Sequence, residues 1–164
     1  MGMTSHIGEG KVLLSATMRK LDELVQIEIP LVHHGRKGDV NQGKVIFNGK
    51  LELTSLEAPK AATPSNETAT ASSTSSLPPL QLPAGRSGCL RVSDISVKDL
   101  VNLGSMLDGQ DPCVRFRIGK DTQITSRQVD AGSNASFTEV FEFRNITAEM
   151  FNSGKYEVRL KSAV

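Results

Sequence analysis

No stretch of the chain approaches the roughly 18 to 20 consecutive apolar residues that a bilayer-spanning helix needs, so the sequence predicts no transmembrane span. The first residues lack the apolar core of a secretory leader, which predicts a cytoplasmic location, at most peripheral to a membrane. There is no Gly-rich phosphate loop, no nucleophile elbow and no zinc-protease helix, so no enzyme class is indicated. The adjacent His33 and His34 have no third and fourth ligand at zinc spacing. The only cysteines, Cys89 and Cys113, show no metal-ligand spacing; one disulfide between them is open, but small buried thiols are expected. Neither charge sign dominates: 19 basic against 18 acidic residues give a net charge of +1, which argues against a nucleic-acid partner and confines any attraction to a membrane to a local patch.

What is present is alternation. With 164 residues, 38% of them hydrophobic, one modest core can be built and two full domains cannot. Residues 56–86 are rich in Ala, Thr, Ser and Pro with few large apolar side chains, too little to offset the entropy of ordering, and are read as a disordered linker. That divides the chain into 1–55, 56–86 and 87–164. Before the linker, period-2 patterns predict strands at Lys11–Ala16, from Val25 to Val32, and from Val45 to Leu53, with a polar loop over His33–Gln42. Pro30 is expected to end pairing or mark an edge, and Gly49 to mark a bulge. After the linker, Cys89–Val97, Cys113–Ile118, Gln123–Gln128, Phe137–Phe143 and Tyr156–Lys161 read as five more strands, with a short helical turn over Thr147–Phe151.

Two phrases organise the second half. Gln110-Asp111-Pro112 leads into Val114, Phe116 and Ile118, which alternate with Arg115 and Arg117; Asn134 and Phe137-Thr138-Glu139-Val140-Phe141-Glu142-Phe143 follow. Together with Leu90, Val92, Val97 and Leu100, they resemble the C2 domain family, whose corresponding phrase runs "NPxWNExFxF". Residues before the linker, from Ser5-His6-Ile7-Gly8-Glu9 to Gln42-Gly43-Lys44-Val45, resemble the last three strands of that family, whereas residues after it resemble the first five. The resemblance therefore implies an all-β, antiparallel, eight-stranded C2-type sandwich, on one reading circularly permuted, with three N-terminal and five C-terminal strands. The other origin it allows is the tail of one module followed by the head of the next in a longer multi-C2 protein.

The family binds phospholipid, often through calcium, which takes six to eight oxygens. Here the positions that would supply acids fall on Ser105, Asp111, Ser162, Val164 and Ser5, with Asp108 as a substitute. That makes Asp108 and Asp111 at best a degenerate metal site, and no calcium dependence or other cofactor is expected. Lipid attraction would then rest on cations: Arg115, Arg117, Lys120 and Arg127 on one face, and His33, Arg36 and Lys37 in a second basic stretch. The expectation is a non-catalytic, calcium-independent module for an anionic phospholipid surface or a protein partner. The alternative is a structural or protein-interaction fragment with no activity of its own.

Overall fold

The computed structural model describes residues 4–54, 80, 82, 85–101, 110–153 and 155–163, with side chains described for most of these. The protein is all-β and antiparallel. Its strands are β1 (Thr4–Leu13), β2 (Leu24–Gly35), β3 (Gly38–Leu53), β4 (Ser87–Lys98), β5 (Asp111–Ile118), β6 (Asp121–Ile124), β7 (Ala135–Phe137), β8 (Phe141–Thr147) and β9 (Lys155–Ala163). Two short helices, α1 (Leu14–Thr17) and α2 (Ala148–Ser153), complete the elements. All nine strands belong to one curled sheet in the order β6-β5-β9-β1-β2-β3-β4-β7, with β8 also pairing β4.

The N-terminal segment occupies the middle of this sheet. β1 pairs β9 from Thr4–Ala163 to Leu13–Lys155, and β3 pairs β4 from Lys44–Lys98 to Leu53–Gly88. The core is correspondingly shared. Phe47 of β3 stacks edge-on against Phe116 of β5, with centroids 5.2 Å apart, and Phe116 against Phe141 of β8 at 5.8 Å. All three rings are buried in one cluster with Ile29, Leu51, Leu90 and Phe143.

Several sequence expectations are corrected. The described residues hold nine strands rather than eight, three N-terminal and six C-terminal, because the run expected as one strand over Phe137–Phe143 breaks after Phe137 and resumes at Phe141. Its two parts pair successive stretches of the same strand, β4. The strand expected at Lys11–Ala16 stops at Leu13; Leu14 and Met18, four apart, turn inward on a single helical turn and are both buried. His33–Gln42 is no loop. β2 and β3 continue through it, pairing His33 with Val40, His34 with Asp39 and Gly35 with Gly38, so only Arg36 and Lys37 form the turn. Polarity misled there because a ladder satisfies its backbone whether or not the side chains are wet.

Pro30 lies inside β2, beside a register shift between Pro30 and Val32. Gly49 is regularly paired on both sides, and the irregularity falls instead between Ile46 and Asn48. Gly10 is where β1 needs a glycine: a Cβ there would collide with Ile29 Cγ2 and the Pro30 carbonyl oxygen. β6 ends at Ile124, short of the expected Gln128, because the Thr125 hydroxyl accepts the Val114 N–H in place of a backbone carbonyl. Of the linker, residues 56–79, 81, 83 and 84 lie outside the described residues, and Leu82 is buried in the core.

The two ends of the sheet approach each other. Gln123 of β6 donates from Nε2 to the Glu142 carbonyl of β8 at 2.7 Å, and Ser126 N–H donates to Glu139 Oε1. Side chains thus bridge a seam where backbone pairing stops.

Candidate functional site

Alternation along β5 sends Val114, Phe116 and Ile118 into the core and leaves Arg115 and Arg117 on the outer face. Antiparallel register then decides their company. Arg115 stands opposite Arg159 of β9, and Arg117 between Thr122 of β6 and Glu157 of β9. Lys120 enters from the two-residue turn between β5 and β6, where Gly119 adopts a positive φ of 59°. Arg115, Arg117, Lys120, Thr122 and Arg159 line a pocket of about 150 Å³.

Four cations around one small pocket are costly alone, and like charges placed directly across a ladder destabilise it. Arg115 and Arg159 are such a pair, and a bound anion would relieve their repulsion. The Arg115 Nε is buried without a hydrogen-bond partner among the described residues, leaving a donor for which an anion would supply the acceptor. Arg117 Nε donates to the Gly119 carbonyl at 3.2 Å, which ties its guanidinium to the turn that carries Lys120. On the other side of β9, Glu9 of β1 stands opposite Arg159, with its Oε2 3.3 Å from Arg159 Nε.

The remaining residues singled out from sequence lie elsewhere. Arg127 is exposed in the loop after β6 and does not line the pocket. Arg36 and Lys37 form the exposed β2–β3 turn; His33 lies on β2, its ring 6.1 Å from that of His6. Asp111 opens β5, and its Oδ1 accepts the Asp130 N–H at 2.9 Å. It lies six residues along the strand from Arg117, about 20 Å away. Asp108 lies outside the described residues. Among the described residues no cluster of three or more His, Cys, Asp or Glu side chains is arranged to hold a metal ion.

The Gln110-Asp111-Pro112 phrase binds the loop that follows β6. Backbone N–H groups of Ala131 and Gln128 donate to the carbonyls of Gln110 and Pro112, at 3.1 Å each. Cys89 and Cys113 are half-buried and not joined in a disulfide, and burial pushes the Cys89 thiol up, away from nucleophilic ionisation. A wider hollow of about 450 Å³ is lined by Glu28, Asn41, Lys44 and Asp99 among others, but there Lys44 is paired with Glu28 at 3.1 Å and no single charge sign prevails.

Sequence reasoning missed Arg159, Thr122 and Glu9 as members of this site. Arg159 sits on the polar side of an alternating strand, but nothing local shows that it faces Arg115, 44 positions earlier. Among the described residues no helix is long and apolar enough to cross a membrane. Compared with models of known protein families and with curated proteins, the chain matches none.

Proposed function

We propose that this protein is a non-catalytic, calcium-independent binding module of the C2 type, cytoplasmic and peripheral to membranes, that takes the phosphate of anionic phospholipid headgroups at the pocket of Arg115, Arg117, Lys120, Thr122 and Arg159. The observation that carries this reading is the gathering of Arg115, Arg117, Lys120 and Arg159 around one small pocket, with Arg115 directly opposite Arg159 in register. At about 1 kcal/mol per cation near an anionic surface, four cations less the opposing Glu9 and Glu157 contribute roughly 2 kcal/mol, which makes attachment weak, salt-sensitive and dependent on several headgroups acting together. Calcium independence is supported by Asp111, whose carboxylate is engaged by the Asp130 N–H.

Co-sedimentation with phosphatidylcholine vesicles, with and without phosphatidylserine, tests the reading. Binding is expected only with the anionic lipid, falling steeply with added salt and unchanged by a calcium chelator. Arg115→Gln and Arg117→Gln should each weaken it about fivefold. Absence of binding, or binding indifferent to salt, sinks it. A second reading, docking of a protein partner at the seam, is favoured by the exposed Ile124 and Val140 close to the Ser126–Glu139 bond. Salt-indifferent self-association or pull-down lost in Ile124→Lys would support that alternative.

A further inference from the structure

We infer that Thr122 is a phosphorylation site, and that its phosphate ester would fill the cationic pocket from within the chain and switch membrane attachment off. The inference rests on the anion-binding reading of the pocket and deepens it by naming how that site is regulated.

Of the residues lining the pocket, Thr122 alone carries no charge. It stands on β6 directly opposite Arg117, with Arg115 as a diagonal neighbour and Lys120 two residues earlier in the chain. Directly opposed residues have Cβ atoms about 5 Å apart and diagonal ones about 7 to 8 Å, within the span of an arginine side chain. A phosphoryl group on Thr122 Oγ1 therefore lies among three cations. A guanidinium carries five N–H donors, so Arg117 can keep the Gly119 carbonyl and its other neighbours and still donate to a phosphoryl oxygen.

The acids near the pocket lie beyond those cations. Glu157 is in register with Arg117 on the far side of β5, two strand spacings or about 10 Å from Thr122, and Glu9 is three spacings or about 14 Å away. Both distances exceed the screening length of about 8 Å at physiological salt. Asp121 and Gln123 alternate to the opposite face of the strand from Thr122. The covalent tether then supplies what a weak site lacks. A free anion must be gathered from dilute solution, whereas a phosphate on an adjoining side chain is present at an effective concentration in the millimolar range or above.

Thr122 is also placed to be modified. It is exposed on a strand of four residues that pairs only β5 among the described residues, so few ladder bonds need open before an enzyme takes this extended segment. Lys120 and Arg117, two and five residues before it, form a basic flank that suits a protein kinase with an acidic substrate groove. The co-reactant is a nucleoside triphosphate. Transfer forms the bond from Thr122 Oγ1 to the γ-phosphorus and breaks the bond from that phosphorus to the β–γ bridging oxygen. The nucleoside diphosphate leaves with that electron pair, and the hydroxyl proton passes to the kinase's base.

The test uses the full chain with phosphothreonine installed at position 122 or at position 54, an exposed threonine just past β3 that lines no part of the pocket. Thermal melts first establish that each is folded. Binding to phosphatidylcholine vesicles carrying phosphatidylserine should weaken at least tenfold with the phosphate at 122, and no more than about twofold with the same charge at 54. Followed by phosphorus NMR, the ester at 122 should take up its second charge at lower pH than the ester at 54, and Arg117→Gln should move it most of the way back. A basic-directed kinase with magnesium and ATP should label the unmodified chain and fail to label Thr122→Val at that position. The inference is overturned if the two phosphorylated chains bind vesicles alike, if their esters titrate alike, or if the kinase labels other hydroxyls and spares Thr122. In those cases vesicle binding by the unmodified chain would still uphold the lipid reading. An unmodified chain that binds no vesicles, with the ester at 122 still titrating low through Arg117, would remove the lipid reading and leave the phosphate in its pocket.

Discussion

Asp94 shows how a single residue sets the phase of a strand. Leu90 and Val92 point inward from even positions of β4, and Ile95 and Val97 from odd ones, so the apolar period slips by one residue between them. The slip is absorbed by a bulge: Asn48 pairs Ser93 and Ile46 pairs Ser96, leaving Asp94 and Ile95 opposite Phe47 alone. Asp94 takes a positive φ of 50°, and its carboxylate accepts bonds from Asn48 Nδ2 at 2.9 Å and the Ser93 hydroxyl at 3.1 Å. Aspartate tolerates this region and β-branched residues do not. Asp94→Val should therefore lower stability by about 2 kcal/mol in urea unfolding, whereas Asp94→Gly, which keeps the backbone free and loses only exposed hydrogen bonds, should cost under about 1 kcal/mol. Equal losses in the two would show that the bulge does not need its left-handed residue. Alternation alone does not say which residue a bulge extrudes, so the role of Asp94 is not legible in the sequence.

At the scale of elements, the seam between β6 and β8 depends on side chains where the ladder ends. The Ser126 hydrogen bond to Glu139 holds the Glu139 carboxyl below the ordinary glutamate range, against a smaller opposing effect of burial. A group whose folded value is depressed contributes stability above its unfolded value and loses it as pH falls through the folded one. Glu139→Gln should accordingly be less stable than the native chain at neutral pH, by under about 1 kcal/mol for a half-buried group screened by solvent. The difference should shrink as pH drops below about 4.3 and vanish once the carboxyl is protonated. Urea midpoints at a series of pH values measure this, and a gap that persisted in acid would show that Glu139 acts through packing instead. Glu139 was legible as a motif residue, but its partner Ser126 was not. The two lie on different connections that meet only once the sheet curls.

For the whole molecule, the decisive feature is that β1, β2 and β3 lie between β9 and β4. Without them residues 87–164 would be left as two separate groups, β6-β5-β9 and β4 with β7 and β8, each with an unpaired edge and Phe116 without its Phe47 neighbour. Expressed alone, 87–164 should therefore lack cooperative unfolding by circular dichroism, and adding 1–55 as a separate chain should restore it. A cooperatively folded 87–164 alone would contradict the shared core.

The sequence by itself determined most of the strands and their faces. The alternations of β5 and β9 place Arg115, Arg117 and Arg159 on the outside of their strands, because side chains of an extended chain point alternately to either side. It left open whether the two halves belong to one sandwich or to successive modules. Which strand lies next to which was decided only by tertiary structure, and with it the pocket. Register between β5, β9 and β1 is fixed by apolar side chains meeting in a common core across long stretches of chain, and no local pattern encodes that meeting. The same register that buries Phe116 beside Phe47 brings Arg115 against Arg159 and Arg159 against Glu9.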